Sequence, residues 1–159
     1  MGKVRIITDS SAQFLNPPLI RQLNINIVPV KVHFGDQSFR EGVDLDAEGF
    51  FRRVLTEGMP APVLEAPSVE DYAAVIKRLM HDTDHIIILP MASGLSDSHR
   101  NAQTAADALR GRSEIIVIDS MTTSVGLAFL AETAARASEV TSSLESVVRV
   151  VRGAVKRGY

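Results

Sequence analysis

Hydrophobic and polar positions divide the chain into short apolar runs and longer stretches with helical spacing. Three runs are almost continuously apolar: VRIIT at residues 4–8, IIIL at 86–89 and IIVI at 115–118. Such runs are typical of strands that are buried on both faces of a sheet. Because a stretch with helical periodicity follows each run, the pattern predicts an α/β fold, with a mostly parallel sheet and helices on both of its faces.

Capping residues mark the starts of several predicted helices. Asp44 or Asp46 is expected to cap a helix that stops at Gly58, and Ser68 and Asp71 resemble a capping box. The helices are predicted to start near Asn16 and to cover 44–58, 68–80, 96–110, 120–137 and 142–158. The last one has a Ser at its start and basic residues near its end, which the helix dipole favours.

Two proline-containing segments interrupt this alternation. Residues 25–34, INIVPVKVHF, have a strand pattern with Pro29 inside it, which favours an edge strand or a bulge. The GDQSF that follows is typical of a hairpin turn. Residues 59–68, MPAPVLEAPS, are rich in proline and are expected to lack regular structure.

Composition and charge narrow the classes of partner. A chain of 159 residues is long enough for one domain with a hydrophobic core. Its net charge of −2 gives no reason to expect nucleic acid or an anionic membrane as a partner, and its 5% of aromatic residues argue against base stacking. The absence of cysteine excludes disulfides, cysteine-ligated zinc and thiol nucleophiles.

The N-terminal sequence, MGKVRIITDSS, lacks the long apolar region and the cleavage site of a secretory signal. No apolar run approaches the roughly 20 residues that a membrane span requires. We therefore expect a cytoplasmic protein that does not insert into a membrane.

Small hydroxyl residues follow three of the predicted strands, in TDSS at 8–11, MASGLSDS at 91–98 and DSMTTS at 119–124. In open parallel sheets, ligands bind outside the carboxyl ends of the strands, so these loops are expected to converge on a site. None of them concentrates positive charge. Hydroxyls and backbone N–H groups are therefore the groups expected to hold a ligand there.

The segment SGLSDS, residues 93–98, supports two interpretations. Ser93, Ser96 and Ser98 could present hydroxyl and backbone N–H groups to an anion at a helix N-terminus. Equally, Ser96 or Asp97 could serve only to cap the helix. The segment has neither the Lys of a P-loop nor the spacing of a dinucleotide-binding motif, so a nucleotide is not supported.

Two carboxylates, Asp9 and Asp119, each end a buried strand and precede a Ser. They could form a metal-dependent pair in a phosphotransferase or hydrolase, but Asp-Ser at a strand-to-helix junction favours helix caps. His81 and His85 lie at a helix-to-strand junction rather than on one helix face, so a metal site is not favoured there. No Ser-His-Asp arrangement can be argued from spacing.

Taken in order, six stretches resemble the DegV family of fatty-acid-binding proteins: IITDSSAQF, INIVPVKVHFGDQSFREGVD, APS before a helix, SGLSDSHRNA, VIDS and the helix that contains Gly126. They cover nearly the whole chain. The resemblance implies an α/β domain that encloses one long-chain fatty acid together with a second domain. It also implies a binding protein without catalytic activity or cofactor, which in some members carries the acyl group to a separate ATP-dependent fatty acid kinase.

The resemblance also suggests where the acyl head group binds. In the family, a Thr in a TSQPS-like loop and a Ser in an SSxLSGT-like loop hold it. The second loop matches this chain from Ser93 to Ser96, whereas in the first loop the Thr falls on Leu64 and the next Ser on Glu65. Losing that hydroxyl beside a Glu is expected to disfavour a carboxylate. The predicted ligand-binding residues are Ser10, Leu64, Ser93, Gly94, Ser96 and Ser120.

Family members continue beyond the last of these helices into a second domain of similar size. The resemblance therefore implies that residues 1–159 form a single N-terminal domain and that the second domain is absent from this chain. A first domain alone would expose an apolar wall, which predicts self-association through that face or a partner that covers it. An interaction module that has lost the ligand is a further hypothesis.

Overall fold

The computed structural model describes residues 3–55, 58–111 and 113–158. In chain order the elements are β1 (Arg5–Asp9), α1 (Pro18–Gln22), β2 (Ile25–Val28), β3 (Lys31–Phe34), β4 (Gln37–Arg40), α2 (Ala47–Leu55), β5 (Val63–Glu65), α3 (Val69–Leu79), β6 (His85–Leu89), α4 (Ser98–Ala108), β7 (Glu114–Val117), α5 (Ser124–Val140) and α6 (Leu144–Arg157). Within the described ranges, none of the helices combines the length and the apolar character that crossing a membrane requires.

The main sheet is parallel throughout, with the strand order β2-β1-β6-β7. Successive side chains of β1 and β6 point to opposite faces and so enter different cores. Ile6 and Ile87 pack with residues of α5 and α6, whereas Ile7, Ile86 and Ile88 pack with residues of α3 and α4. The predicted α/β fold, with helices on both faces of a mostly parallel sheet, is therefore confirmed.

A small antiparallel sheet, in the order β4-β3-β5, lies beside the main one. Residues 25–34 are not one strand: β2 is an edge strand of the main sheet, and β3 is the central strand of the small sheet. Pro29 separates them, because it cannot donate to a sheet ladder. The predicted hairpin turn is confirmed by the pairing of Phe34 with Gln37 across Gly35 and Asp36.

The prediction that residues 59–68 lack regular structure is wrong. Val63–Glu65 forms β5, which pairs with β3 in the register Val32 to Leu64. Pro62 and Pro67 flank this strand rather than interrupt it, and an edge strand tolerates such neighbours. The strand exists because the backbone of β3 offers it a partner.

Predicted caps are confirmed at α3 and α6. The Asp71 N–H donates to the Ser68 hydroxyl at 3.1 Å and the Ser68 N–H donates to the Asp71 carboxylate at 2.9 Å, which closes the capping box of α3. At the start of α6, the Ser143 hydroxyl accepts from the Ser146 N–H at 3.2 Å.

Helix α2 begins with a cap from Asp46, whose carboxylate accepts a hydrogen bond from the Gly49 N–H at 2.8 Å. The alternative cap, Asp44, instead forms an ion pair with Arg40 at 2.8 Å. Residues 56–57, which the sequence pattern assigned to this helix, lie outside the described residues.

Candidate functional site

Three loops meet at the carboxyl ends of β1, β6 and β7, as predicted: residues 8–11, 91–98 and 119–124, called here the three-loop site. The Ala92 N–H donates to the Thr122 carbonyl at 2.9 Å, which joins the second and third loops. Because β6 lies between β1 and β7, its loop contacts both of the others.

Asp9 joins the first and second loops. Its carboxylate is fully buried and accepts the Ser11 N–H at 3.1 Å, the Ser11 hydroxyl, the Met91 N–H at 2.8 Å and the Tyr72 hydroxyl at 3.4 Å. Burial, and then the nearby Asp9 charge, raise the pKa of Tyr72 far above its ordinary value. The prediction that Asp9 caps a helix is wrong, because the next helix begins only at Pro18 and Asp9 binds loop backbone instead.

Asp119 joins the second and third loops. Its carboxylate accepts both the N–H of Ser93, at 3.1 Å, and the Ser93 hydroxyl, and it accepts the Met121 N–H at 3.0 Å. Burial alone would raise the pKa of Asp119, but the hydrogen bonds from Ser93 and Met121, with the charge of His99, hold it below its ordinary value. The predicted helix cap is wrong here too, because α5 begins at Ser124, beyond the reach of this carboxylate's hydrogen bonds.

A metal-dependent reaction gains no support from these carboxylates. The oxygens of Asp9 and Asp119 accept N–H and O–H donors, which is the environment of a structural carboxylate. Among the described residues, no group of three or more His, Asp and Glu side chains is arranged to hold a metal ion.

The segment 93–98 makes local hydrogen bonds at the start of α4, and ligand binding by it stays a prediction. Asp97 is the N-cap residue of α4, but its side chain caps no helix N–H and pairs instead with Arg100 at 2.9 Å; the Ser96 hydroxyl accepts the Ser98 N–H at 3.1 Å. Within the described part of the chain, the N–H groups of Gly94 and Ser96 donate to no other residue. The exposed Gly94 and the half-buried Ser96, which precede α4, therefore present free backbone donors.

Ser10 and Ser120 lie at the three-loop site with their hydroxyls engaged. The Ser10 hydroxyl donates to Glu41 at 2.6 Å and accepts the Val30 N–H at 2.8 Å, which links β1 to the small sheet. The buried Ser120 hydroxyl donates to the Thr122 carbonyl at 3.0 Å. Both hydroxyls hold backbone in place, and direct ligand contact by either stays a prediction.

Leu64 and Glu65 occupy opposite faces of β5, because side chains alternate along a strand. Leu64 is 63% exposed, on the side of the small sheet where its partner Val32 is buried. On the other side, Glu65 contacts His33 at 2.9 Å and Lys31 at 3.4 Å, and the hydrogen bond with His33 and the Lys31 charge lower the pKa of Glu65. The repulsion expected from Glu65 is thus only partly reduced, since Lys31 also pairs with Asp71 at 3.4 Å.

Sequence reasoning missed a cavity of about 390 Å³ between α5 and α6, beside the loop 119–124. Its wall is mostly apolar and includes Met121, Gly126, Phe129, Leu130, Ala154 and Val155, with Ser120 and Thr122 at its polar side. Gly126 is needed there, because a Cβ at this position would overlap Thr122. The available signal was Gly126 near the start of an otherwise apolar helix.

A family model, related sequences and solved structures all match this chain to the same family. The model of the DegV family, described as an uncharacterised protein family, matches residues 3–157. A DegV domain-containing protein of Clostridium acetobutylicum is 32% identical over 147 residues, which are 91% of this chain and 50% of that protein. The chain thus spans about half the length of the curated relatives that it matches.

Two solved structures extend the comparison. A DegV family protein from Thermus thermophilus, described by its fatty acid binding, has a TM-score of 0.86 and 27% identity over 97% of this chain and 54% of its own. A stearic acid-binding protein from Eubacterium ventriosum has a TM-score of 0.83 and 27% identity over 94% of this chain and 52% of its own.

Proposed function

The chain belongs to the DegV family, and we propose from this premise that it binds the acyl group of a long-chain fatty acid. The observation that carries the proposal is the cavity of about 390 Å³ beside the three-loop site. The fatty acid binding described for the Thermus thermophilus and Eubacterium ventriosum proteins supports it.

The tail of the ligand occupies the cavity between α5 and α6. Its volume lies within the ordinary range of ligand pockets, and its wall of Met121, Phe129 and Leu130 suits methylene groups. Each methylene that leaves water contributes about 0.8 kcal/mol, so several of them supply most of the affinity. Phe129 is 63% exposed, which leaves it available to contact a tail that extends beyond the cavity.

The head of the ligand lies at the segment 93–98. The free N–H groups of Gly94 and Ser96, at the start of α4, suit an acyl oxygen without any cation. Ser93, whose N–H and hydroxyl both donate to Asp119, fixes the loop that carries these donors, while Leu64 provides apolar surface. Ser10 and Ser120 act by holding the backbone of the site.

Two measurements test the proposal. Mass spectrometry of an organic extract of the purified protein is expected to find long-chain acyl species. Palmitate is expected to raise the melting temperature, whereas butyrate, which has the same head and almost no tail, is not. Absence of acyl species together with no shift by palmitate would rule the function out.

In this proposal the protein is a carrier rather than a catalyst. It holds the fatty acid while a separate ATP-dependent fatty acid kinase phosphorylates the carboxyl group. The exposure of Ser93, Gly94 and Leu95 supports access to the head group. Incubation of the palmitate-loaded protein with such a kinase and labelled ATP is expected to yield acyl phosphate. If the kinase converts free palmitate equally well without this protein, the carrier role is wrong.

A further inference from the structure

A second cleft lies at the amino ends of the strands, opposite the three-loop site. It has a volume of about 300 Å³ and is lined by Arg5 at the start of β1, Arg21 at the end of α1, and the side chains of Asn24 and Asn26. Three apolar residues complete its wall. The cleft therefore combines two guanidinium groups with a partly apolar surface.

A third arginine, Arg78, does not line this cleft itself but contacts Asn26, which does. Arg78 donates to the side-chain oxygen of Asn26 at 3.0 Å. The Asn26 amide nitrogen donates to the carbonyls of Ile6 and Asn24, both at 3.2 Å, so all groups of this side chain are fixed. Asn26 thus holds the Arg78 guanidinium at the rim.

Within the described residues, Arg5, Arg21 and Arg78 form no ion pair with a carboxylate. Elsewhere in the described part of the chain, the arginines that form an ion pair include Arg40, Arg100, Arg110, Arg136 and Arg149. In a chain with a net charge of −2, three such guanidiniums around one cleft are a local concentration of positive charge.

Helix dipoles explain only part of this cluster. Arg21 and Arg78 lie in the last turns of α1 and α3, where a cation complements the helix C-terminus. Arg5 lies on a strand, so it has no such role, and α1 has only five residues.

We propose that this cleft binds a phosphate group, either free or carried by a small molecule. The planar guanidinium group offers paired N–H donors that match two phosphate oxygens, and Arg5 and Arg21 line the same cleft. A volume of about 300 Å³ limits the ligand to a small one. The site is separate from the acyl site and does not depend on it.

An NMR titration with pyrophosphate at constant ionic strength tests the site. Saturable shifts are expected for the Arg5 and Arg21 side-chain N–H signals and for the backbone amides of 24–26. Arg21→Gln is expected to weaken binding at least tenfold. Arg5→Lys keeps the charge but loses the paired donors, so it is expected to weaken binding as well.

The matched control is Arg149→Gln, which removes an arginine that is 75% exposed and paired with Glu145 on α6; it is expected to leave binding unchanged. Shifts that grow linearly without saturation, or binding that survives Arg21→Gln, would overturn the proposal. Equal binding of citrate would replace the phosphate assignment by a carboxylate one and so overturn it too.

Discussion

Ser93 gives both of its hydrogen-bond donors, the backbone N–H and the hydroxyl, to the carboxylate of Asp119. The residue at which the acyl head is expected to bind is therefore itself held by a charge from the neighbouring loop. Because a carboxylate only accepts hydrogen bonds, the free N–H groups of Gly94 and Ser96 are the donors that remain for the ligand.

Replacing Asp119 by Asn tests how strongly this contact stabilises the protein. The change removes the charge and turns one acceptor oxygen into a donor that faces other donors. We expect a loss of about 1–2 kcal/mol in the free energy of unfolding at neutral pH, measured by urea denaturation. Asp97→Asn, at an exposed position in the neighbouring loop 91–98, is the control and is expected to change stability by less than about 0.5 kcal/mol.

The difference between wild type and Asp119→Asn should also depend on pH. The pKa of Asp119 is lower in the folded protein than its ordinary value of 3.8. Its stabilising contribution is therefore complete above that value and is lost as the pH falls through the folded pKa. An equal difference at pH 7 and in strong acid would contradict this interpretation.

Gly126 in α5 is expected to tolerate no side chain, whereas Gly153 in α6 is expected to tolerate one. A Cβ at Gly126 would overlap Thr122 Oγ1 and would lie 3.3 Å from Thr122 Cγ2, so Thr122 would have to leave its present rotamer. Gly126→Ala should thus destabilise the fold by about 1–3 kcal/mol. Gly153→Ala meets only the guanidinium of Arg157, at 3.5 Å, and should stabilise the helix by up to about 1 kcal/mol. Equal stability of the two variants in urea denaturation would contradict the close packing.

The main sheet was predictable because its strands carry their own signal. The run at 86–89 is apolar throughout, since both faces of the central strands are covered. The strand β5 has no such signal: its three side chains are all exposed, and it forms only because β3 lies beside it.

Some components of the site could be predicted from the sequence, and others could not. The three loops were visible as hydroxyl-rich segments after strands. The role of Asp9 was not, because its partners Tyr72 and Met91 are 63 and 82 residues away, while the local sequence is typical of a helix cap. The cavity was hidden as well, because residues that line it on α5 and α6 follow the same apolar pattern as core residues.

Filling the cavity should weaken acyl binding without unfolding the protein. Ala154→Leu adds three carbon atoms to its wall, and Thr133→Phe fills it from the facing helix. Either change is expected to reduce palmitate affinity about tenfold or more, because it displaces methylene groups worth about 0.8 kcal/mol each. Ala108→Leu, at an exposed position of α4, is the control. Unchanged palmitate binding in a calorimetric titration of both cavity variants would show that the tail lies elsewhere.

The protein is expected to self-associate through the apolar surface around the three-loop site. Leu95 and Phe129 are 65% and 63% exposed, and burying such side chains against a second copy is favourable. We expect concentration-dependent dimers in sedimentation velocity, which Leu95→Asp and Phe129→Asp should each shift toward monomer. Val140→Asp is the control: Val140 is 89% exposed but lies at the far end of α5, about 24 Å from its start. A monomer at all concentrations, or equal loss of dimer in all three variants, would show that this surface is not the interface.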